Sequence, residues 1–475
     1  MTRPTRLARI LIAILSFCLL AACRSPVVEQ EGLLLRNITV VDVVNGDTLT
    51  DRDIALKDGR IVELSVGRIP TNSFLRVIDG AGKYVIPGLI DAHVHLFARA
   101  YDEWSFPWFI RYGVTGVREM WTPRDSLVRV AHWRREFERG APIPRILAAG
   151  ALVEGDALPW MESVDRVATP VAGQAFVRNA QAAGYDFIKV YSHLDPATYA
   201  AILREASRSG VEVSGHVPLR VGIHDALRAG QVTNEHLHQV TIACTTEEER
   251  FLREREAFYE KAYTLDEEFA LLDRQLHETT RHYSEEKCRE TARRIAAAGQ
   301  WQVPTLVNER RWFLGVDHGA LDENLLAAVP DSMRQSWDRS LAGGETYSGE
   351  AAALDAGWDT YSRTVSVLAE AGVPILAGTD FAAPYVYPGL GLHEELALLV
   401  KAGLTPLAAL QAATINPARY LGLADTFGSV EAGKVADLVI LRKNPLADIE
   451  NTRSIEAVLL GGRLVHPVQS GTRPQ

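Results

Sequence analysis

Eight short β-branched runs, each followed by a helical stretch, constrain this chain more than any other feature. They are VIPGLIDAHVHL, GVTGVREM, PRILAAG, YDFIKVY, VEVSGHV, QVTNEHL, WQVPTLV and VPILAGTD. Strand and helix alternating eight times predict an α/β fold of the TIM type, a (β/α)₈ barrel, with functional side chains at the C-terminal strand ends. The barrel is expected over residues 86–423. A stretch rich in Glu, Arg, Leu and Ala, about 247–299, is longer than one barrel helix requires and reads as a helical insertion near the site, its charges forming a solvated face.

The two ends of the chain read differently from its middle. From Leu33 to about Ile86, apolar runs are broken by Asn-Gly and Asp-Gly pairs, as in ITVVDVVNGDTL and DIALKDGRIVEL. The same texture returns in GSVEAGKVADLVIL and IEAVLLGGRLV. One small β-sandwich domain assembled from residues 33–85 and 424–466 is the expectation, and 475 residues leave room for it beside a barrel.

Arg3, Arg6 and Arg9 precede a short apolar run, Ile10 to Leu20, that is too short to span a bilayer comfortably. The run ends at Leu20-Ala21-Ala22-Cys23, the pattern of a bacterial lipoprotein signal over 1–22, with lipid on Cys23, a tether over 23–32 and export to the periplasmic face. Arg24 after the cysteine resembles outer-membrane sorting. Cleavage removes three Arg from a formal charge of -10, and -10 minus 3 leaves -13. No block of like charge suggests a nucleic-acid partner. Cys18 leaves with the signal, so Cys244 and Cys288 remain, either as a disulfide or as two buried thiols. Oligomeric state is open.

His93 and His95, in Asp-Ala-His-Val-His, end the first barrel run. Side chains at i and i+2 of a strand point the same way, so both imidazoles face the barrel axis, where two of them make a metal site. In YDFIKVY the alternation puts Phe187, Lys189 and Tyr191 on one face. A lysine among such neighbours is costly if charged, and its neutral amine is a nucleophile. His216 and His236 close the fifth and sixth runs, with His238 in reserve; His193, His224 and His393 read as structural or supporting. Asp380 closes the eighth.

With these residues in place, the sequence resembles the amidohydrolase superfamily: VIPGLIDAHVHL is among its most specific strings, and GSVEAGKVADLVIL looks like its closing sandwich strands. The resemblance implies a distorted barrel and a hydrolase with two divalent metal ions. His93, His95 and Asp380 would hold one ion, His216 and His236 the other, and Lys189, carboxylated to N6-carboxylysine, both. Zinc suits this set, and manganese or cobalt fits the same ligands. Asp380 would take a proton from the attacking water. The strand-four segment and the GTD ending resemble the branch of imidazolonepropionases and Xaa-Pro dipeptidases, which implies a small amide substrate such as a dipeptide or N-acyl amino acid. Arg118 and Arg220 are candidates for a carboxylate clamp and Tyr191 for a donor to the developing oxyanion. Lactone, ester or organophosphate hydrolysis is the alternative chemistry, and a non-catalytic binding lipoprotein the alternative class. Deaminases of the superfamily carry a Glu shortly after the strand-five histidine; here Val217-Pro218-Leu219-Arg220 stands instead.

Overall fold

The computed structural model describes residues 32–97, 100–155, 163–316, 322–342 and 347–467; the expected signal and the lipidation site Cys23 lie outside them. Strands from both ends of the chain share one eight-stranded sheet. Its order runs Arg463–Pro467, Ile455–Leu460, Leu438–Leu441, Tyr84–Pro87, Leu33–Val41, Thr48–Lys57 and Arg60–Ser65, with Arg76–Asp79 also paired to Leu33–Val41. Leu35, Ile38, Ile54, Leu56, Val85, Leu438 and Ile440 form its buried core, each side chain adding about 1.5–3 kcal/mol on burial. The first turn follows from Asp42, whose carboxylate accepts from the backbone N–H groups of Val44 and Asn45, letting Gly46 turn the chain at φ +85°.

The middle of the chain carries parallel strands at seven of the eight expected runs, giving a TIM-barrel-like α/β fold beside a β-sandwich. Leu89–Val94, Val114–Glu119 and Arg145–Ala148 form one sheet; Ile188–Val190, Val213–Gly215, Thr233–Glu235 and Trp301–Val303 lie in another. The eighth run, 373–380, is not a regular strand. It is tied by single bridges on both sides, Gln302 to Ile375 and Val94 to Phe381, and Pro374 contributes no donor to a ladder. A short strand not expected from the sequence, Val153–Glu154, pairs with Val190 and brings Glu154 beside the fourth run.

Two glycines are fixed by close approach. A Cβ on Gly88, where the chain passes from sandwich to barrel, would lie 2.0 Å from Thr115 Oγ1, and one on Gly378 would lie 2.8 Å from the Cβ of His93. The second contact sets how near the eighth run lies to the first.

The insertion is helical: Glu248–Tyr259, Leu265–Arg281 and Glu285–Ala298. Thr264 and Glu267 form a reciprocal cap on the second helix and Ser284 caps the third. A Cys244–Cys288 disulfide joins the third helix to the end of His238–Ala243. Arg250 and Arg274 bridge to Glu254 and Glu278 on the outer face, as expected for solvated charge. Arg255 and Glu268 depart from that expectation, since both are buried.

Candidate metal centre

The ends of the first, sixth and eighth runs converge. His95 Nε2 lies 2.9 Å from Asp380 Oδ1, His93 Nε2 lies 3.3 Å from the same oxygen, and the two Nε2 atoms are 3.3 Å apart. His236 joins them, and the ligand atoms of His93, His236 and Asp380 all fall within 4.8 Å of one another. His236 and Asp380 both adopt left-handed backbone, φ +56° and +59°. Such conformations cost on the order of 1–3 kcal/mol each and persist where the surroundings over-determine them. His216 packs its ring perpendicular to that of His236, 4.9 Å away.

Asp91 connects the two most specific strings. Its carboxylate accepts from Thr379 N at 3.0 Å and Thr379 Oγ1 at 2.7 Å, which seats Asp380 against His93. Burial pushes the Asp91 carboxyl up to about 7.

Four of the candidate ligands, His93, His216, His236 and Asp380, are held by residues the sequence reading did not single out. His93 Nδ1 lies 2.7 Å from Glu235 Oε2; with the proton on Nδ1, Nε2 keeps its lone pair for a metal. His216 Nδ1 is bonded to Ser192 Oγ at 2.9 Å, and His236 Nδ1 to Thr305 Oγ1 at 2.7 Å. Asn308 donates to Asp380 Oδ2 at 2.8 Å. Glu235 alone had a readable signal, since it follows Thr233 by two residues and therefore shares its inward face. The others sit in loops whose path only the fold determines.

Burial dominates the electrostatics. It draws His95, His216 and His236 toward the neutral form, His216 and His236 well below the usual imidazole range, with Lys189 and neighbouring imidazoles acting in the same sense. Burial also raises the Asp380 carboxyl, but the charge of His93 and bonds from His93 and His95 outweigh it and hold the carboxyl well below its usual range. Lys189, 1% exposed, is pulled down to about 8 by burial, against the opposing pull of Glu235 and Asp380. Its Nζ and His95 Nδ1 are buried with no hydrogen-bond partner among the described residues. Buried donors of this kind are costly unless something absent from the chain satisfies them. Neutral imidazoles, an ionised carboxylate and a buried amine without a partner among the described residues fit a divalent metal centre.

The structure separates the remaining candidates. Tyr191 stacks on His216 with ring centres 4.1 Å apart. Arg220 lies over the Tyr259 ring of the insertion, 5.8 Å from its centre. Arg118 is placed otherwise than a substrate clamp requires: it is buried and donates to Ala92 O at 2.6 Å, Glu235 Oε1 at 2.6 Å, and Thr233 Oγ1 and Tyr420 Oη at 3.2 Å each. It is a structural ion pair that holds Glu235 ionised behind His93. A cavity of about 200 Å³ beside Arg118 opens at the N-terminal halves of the strands, away from the histidines. His238 stacks on His236 at 5.7 Å and reaches Glu309 at 3.2 Å. His393 bonds Thr452 and Tyr112 O at 2.9 Å each, and burial takes it down to about 4. His224 has a buried Nδ1 without a partner among the described residues.

Residues 361–465 match the amidohydrolase family model. The chain is 38% identical over 102 residues to an imidazolonepropionase of Geobacillus kaustophilus, a match covering 21% of this chain and 24% of that protein. The matched segments span a quarter or less of the first curated relatives. Solved structures align over far more. A bottromycin amidohydrolase superposes with a TM-score of 0.70 and 26% identity, covering 91% of this chain and 86% of that one. A Xaa-Pro dipeptidase with bound methionine gives 0.64 at 20% identity, covering 91% and 99%, a likeness of fold.

Proposed function

We propose that this chain is a metal-dependent hydrolase of the amidohydrolase superfamily that cleaves a small C–N bonded substrate, a dipeptide or N-acyl amino acid, on a distorted (β/α)₈ barrel closed through the bridges flanking the eighth run. The convergence of His93, His95, His236 and Asp380, with the buried amine of Lys189 near enough to act on His95, His236 and Asp380 electrostatically, carries this reading.

His93, His95 and Asp380 would hold one divalent ion and His216 with His236 a second, zinc suiting the set. Bound there, the ions would lower the pKa of a coordinated water and polarise the scissile carbonyl. Lys189, with an amine pulled toward neutrality, is suited to attack carbon dioxide. Its nitrogen would form a bond to carbon and lose a proton, and the carboxylate so formed would serve as a further metal ligand. Asp380, ionised and fixed by Asn308, accepts the proton of the attacking water and passes it to the leaving nitrogen. Tyr191 stands against His216, where a phenol can donate to the developing oxyanion. Glu235 and Arg118 keep His93 oriented.

We take residues 33–85 and 424–466 as one sandwich unit, and we propose export with lipid on Cys23. Intact-mass analysis of native protein should give an acylated chain starting at Cys23; an unmodified start elsewhere would refute the anchor. For the activity, metal analysis with bicarbonate supplied should give two ions per chain, and amides and N-acyl amino acids should turn over faster than lactones or organophosphates. Metal-loaded protein inactive on the whole panel would overturn the hydrolase reading in favour of a binding lipoprotein.

A further inference from the structure

We infer that the apolar, carboxylate-bearing half of the substrate binds in a cavity between the barrel and the helical insertion, with Arg255 as its anion partner. The inference rests on the hydrolase reading above and names the substrate class for that site.

The cavity holds about 130 Å³. An apolar cavity of about 150 Å³ holds benzene, and this slightly smaller one has the size of a branched alkyl group or of most of a phenyl ring. Its roof is one face of the Leu265–Arg281 helix, where Leu272, Leu276 and Thr280 recur at four-residue spacing. Phe313, Ile242 and Tyr361 form the opposite walls. A Cβ at Gly357, another lining residue, would lie 2.7 Å from Phe313 Cε1, so the glycine keeps this wall from closing inward.

His238 lines the cavity and also stacks on His236, so one wall of the cavity adjoins the candidate metal centre. Tyr347 stands beside it, its hydroxyl 3.3 Å from His238 Nε2.

Arg255 makes the cavity more than a hydrophobic hole. It is 4% exposed, and every hydrogen-bond acceptor it has among the described residues is neutral: Gln275 Oε1 at 2.7 Å, Gln239 Oε1 at 3.0 Å and Leu219 O at 3.1 Å. Arg118, by contrast, is matched by Glu235. Glu268 acts on this guanidinium electrostatically but accepts no hydrogen bond from it among the described residues, so a ligand carboxylate is the group that would supply a charged acceptor with the strongest hydrogen bonds. An apolar wall, a buried cation and a metal centre beyond His238 together describe an amide whose one side is a hydrophobic amino acid with a free carboxylate.

Calorimetric binding of N-acetylphenylalanine, its carboxamide and N-acetylalanine to the metal-loaded full chain tests this, alongside turnover of the same compounds. The phenylalanine acid should bind about tenfold or more tighter than either comparator. Arg255→Met should bring the acid-to-amide ratio near one, and Leu276→Trp the phenylalanine-to-alanine ratio. If Arg255→Met does not fold, Arg255→Lys, which keeps the charge but not the forked geometry, should reduce the first ratio. A wild-type ratio near one, or ratios that survive the substitutions, overturns the pocket. Binding that follows the pattern without turnover of any amide leaves the pocket standing and removes the hydrolase reading; turnover without the preferences does the reverse.

Discussion

Glu268, from the helical insertion, accepts a hydrogen bond from His193 Nε2 across 2.6 Å, pinning the insertion to the loop after the fourth strand. Glu154 engages the other ring nitrogen at 3.1 Å, and Tyr259 donates to Glu268 at 2.7 Å. Burial alone would lower His193, but the two carboxylates outweigh it and raise its pKa to about 9. A histidine raised in the folded state stabilises fully below its unfolded value of about 6.5, and the contribution is lost as pH rises through the folded value. Wild type should therefore lose thermal stability between roughly pH 6.5 and pH 9. His193→Gln should start lower and stay flat over that range. Parallel melting curves for the two proteins would contradict the assignment.

Removing the carboxylate behind His93 should loosen metal rather than abolish the site. Glu235→Gln is expected to weaken metal affinity by about 10- to 100-fold, measured by chelator competition. It should also cost stability, because Arg118 keeps its charge while its buried partner becomes neutral. An unchanged metal affinity would mean that His93 is oriented by packing alone.

Lys189→Ala should take the bound metal from two ions to one or none and remove most activity, since ligands acting as a unit fail together. Lys189→Arg should not restore it, because a guanidinium is not a nucleophile near neutral pH. Metal analysis that finds two ions in either variant would remove lysine from the centre.

The two arginines expected as a clamp should part company. Arg118→Ala breaks a buried pair and should cost about 3–5 kcal/mol in denaturant unfolding, with no selective loss of preference for a free carboxylate. Arg220→Ala removes a half-buried ring contact, the one polar interaction of Arg220 among the described residues, and should stay within about 1 kcal/mol of wild type. A carboxylate preference lost specifically in Arg118→Ala would restore the clamp.

Opening the Cys244–Cys288 disulfide, which spans 44 residues, should cost about 2–5 kcal/mol. Denaturant unfolding of a Cys244→Ser, Cys288→Ser double variant checks this. Non-reducing peptide mapping of the native protein should recover the two cysteines in one linked fragment.

The strand-borne part of the site was legible because strand geometry is periodic: His93 and His95 had to share a face, and Asp380 closed a run that could not be explained as packing. Alternation likewise placed Lys189 among apolar neighbours. What escaped the sequence has no period. Thr305, Asn308 and Glu309 lie at the start of a helix whose approach to His236 depends on the seventh strand turning through a left-handed Thr305, φ +48°. Arg118 was misjudged because alternation gives the face of a residue but not its depth. An arginine in the interior of a barrel finds carboxylates before it finds substrate. The outer charges of the insertion followed the solvated-face rule, whereas Arg255 and Glu268 needed the insertion's docking against the barrel to be seen as buried.

The sheet shared by the two chain ends makes the order of synthesis matter. Tyr84–Pro87 pairs on one side with Leu33–Val41, available early, and on the other with Leu438–Leu441, which is synthesised only after all seven strands of the middle of the chain. Until then the N-terminal strands present a bare edge of apolar sequence, the kind of edge that pairs with a neighbouring chain. A chain ending before Leu438 should therefore self-associate even with its barrel residues intact, because the strands that cover that edge lie beyond the barrel and only a chain translated past them can close its own sheet.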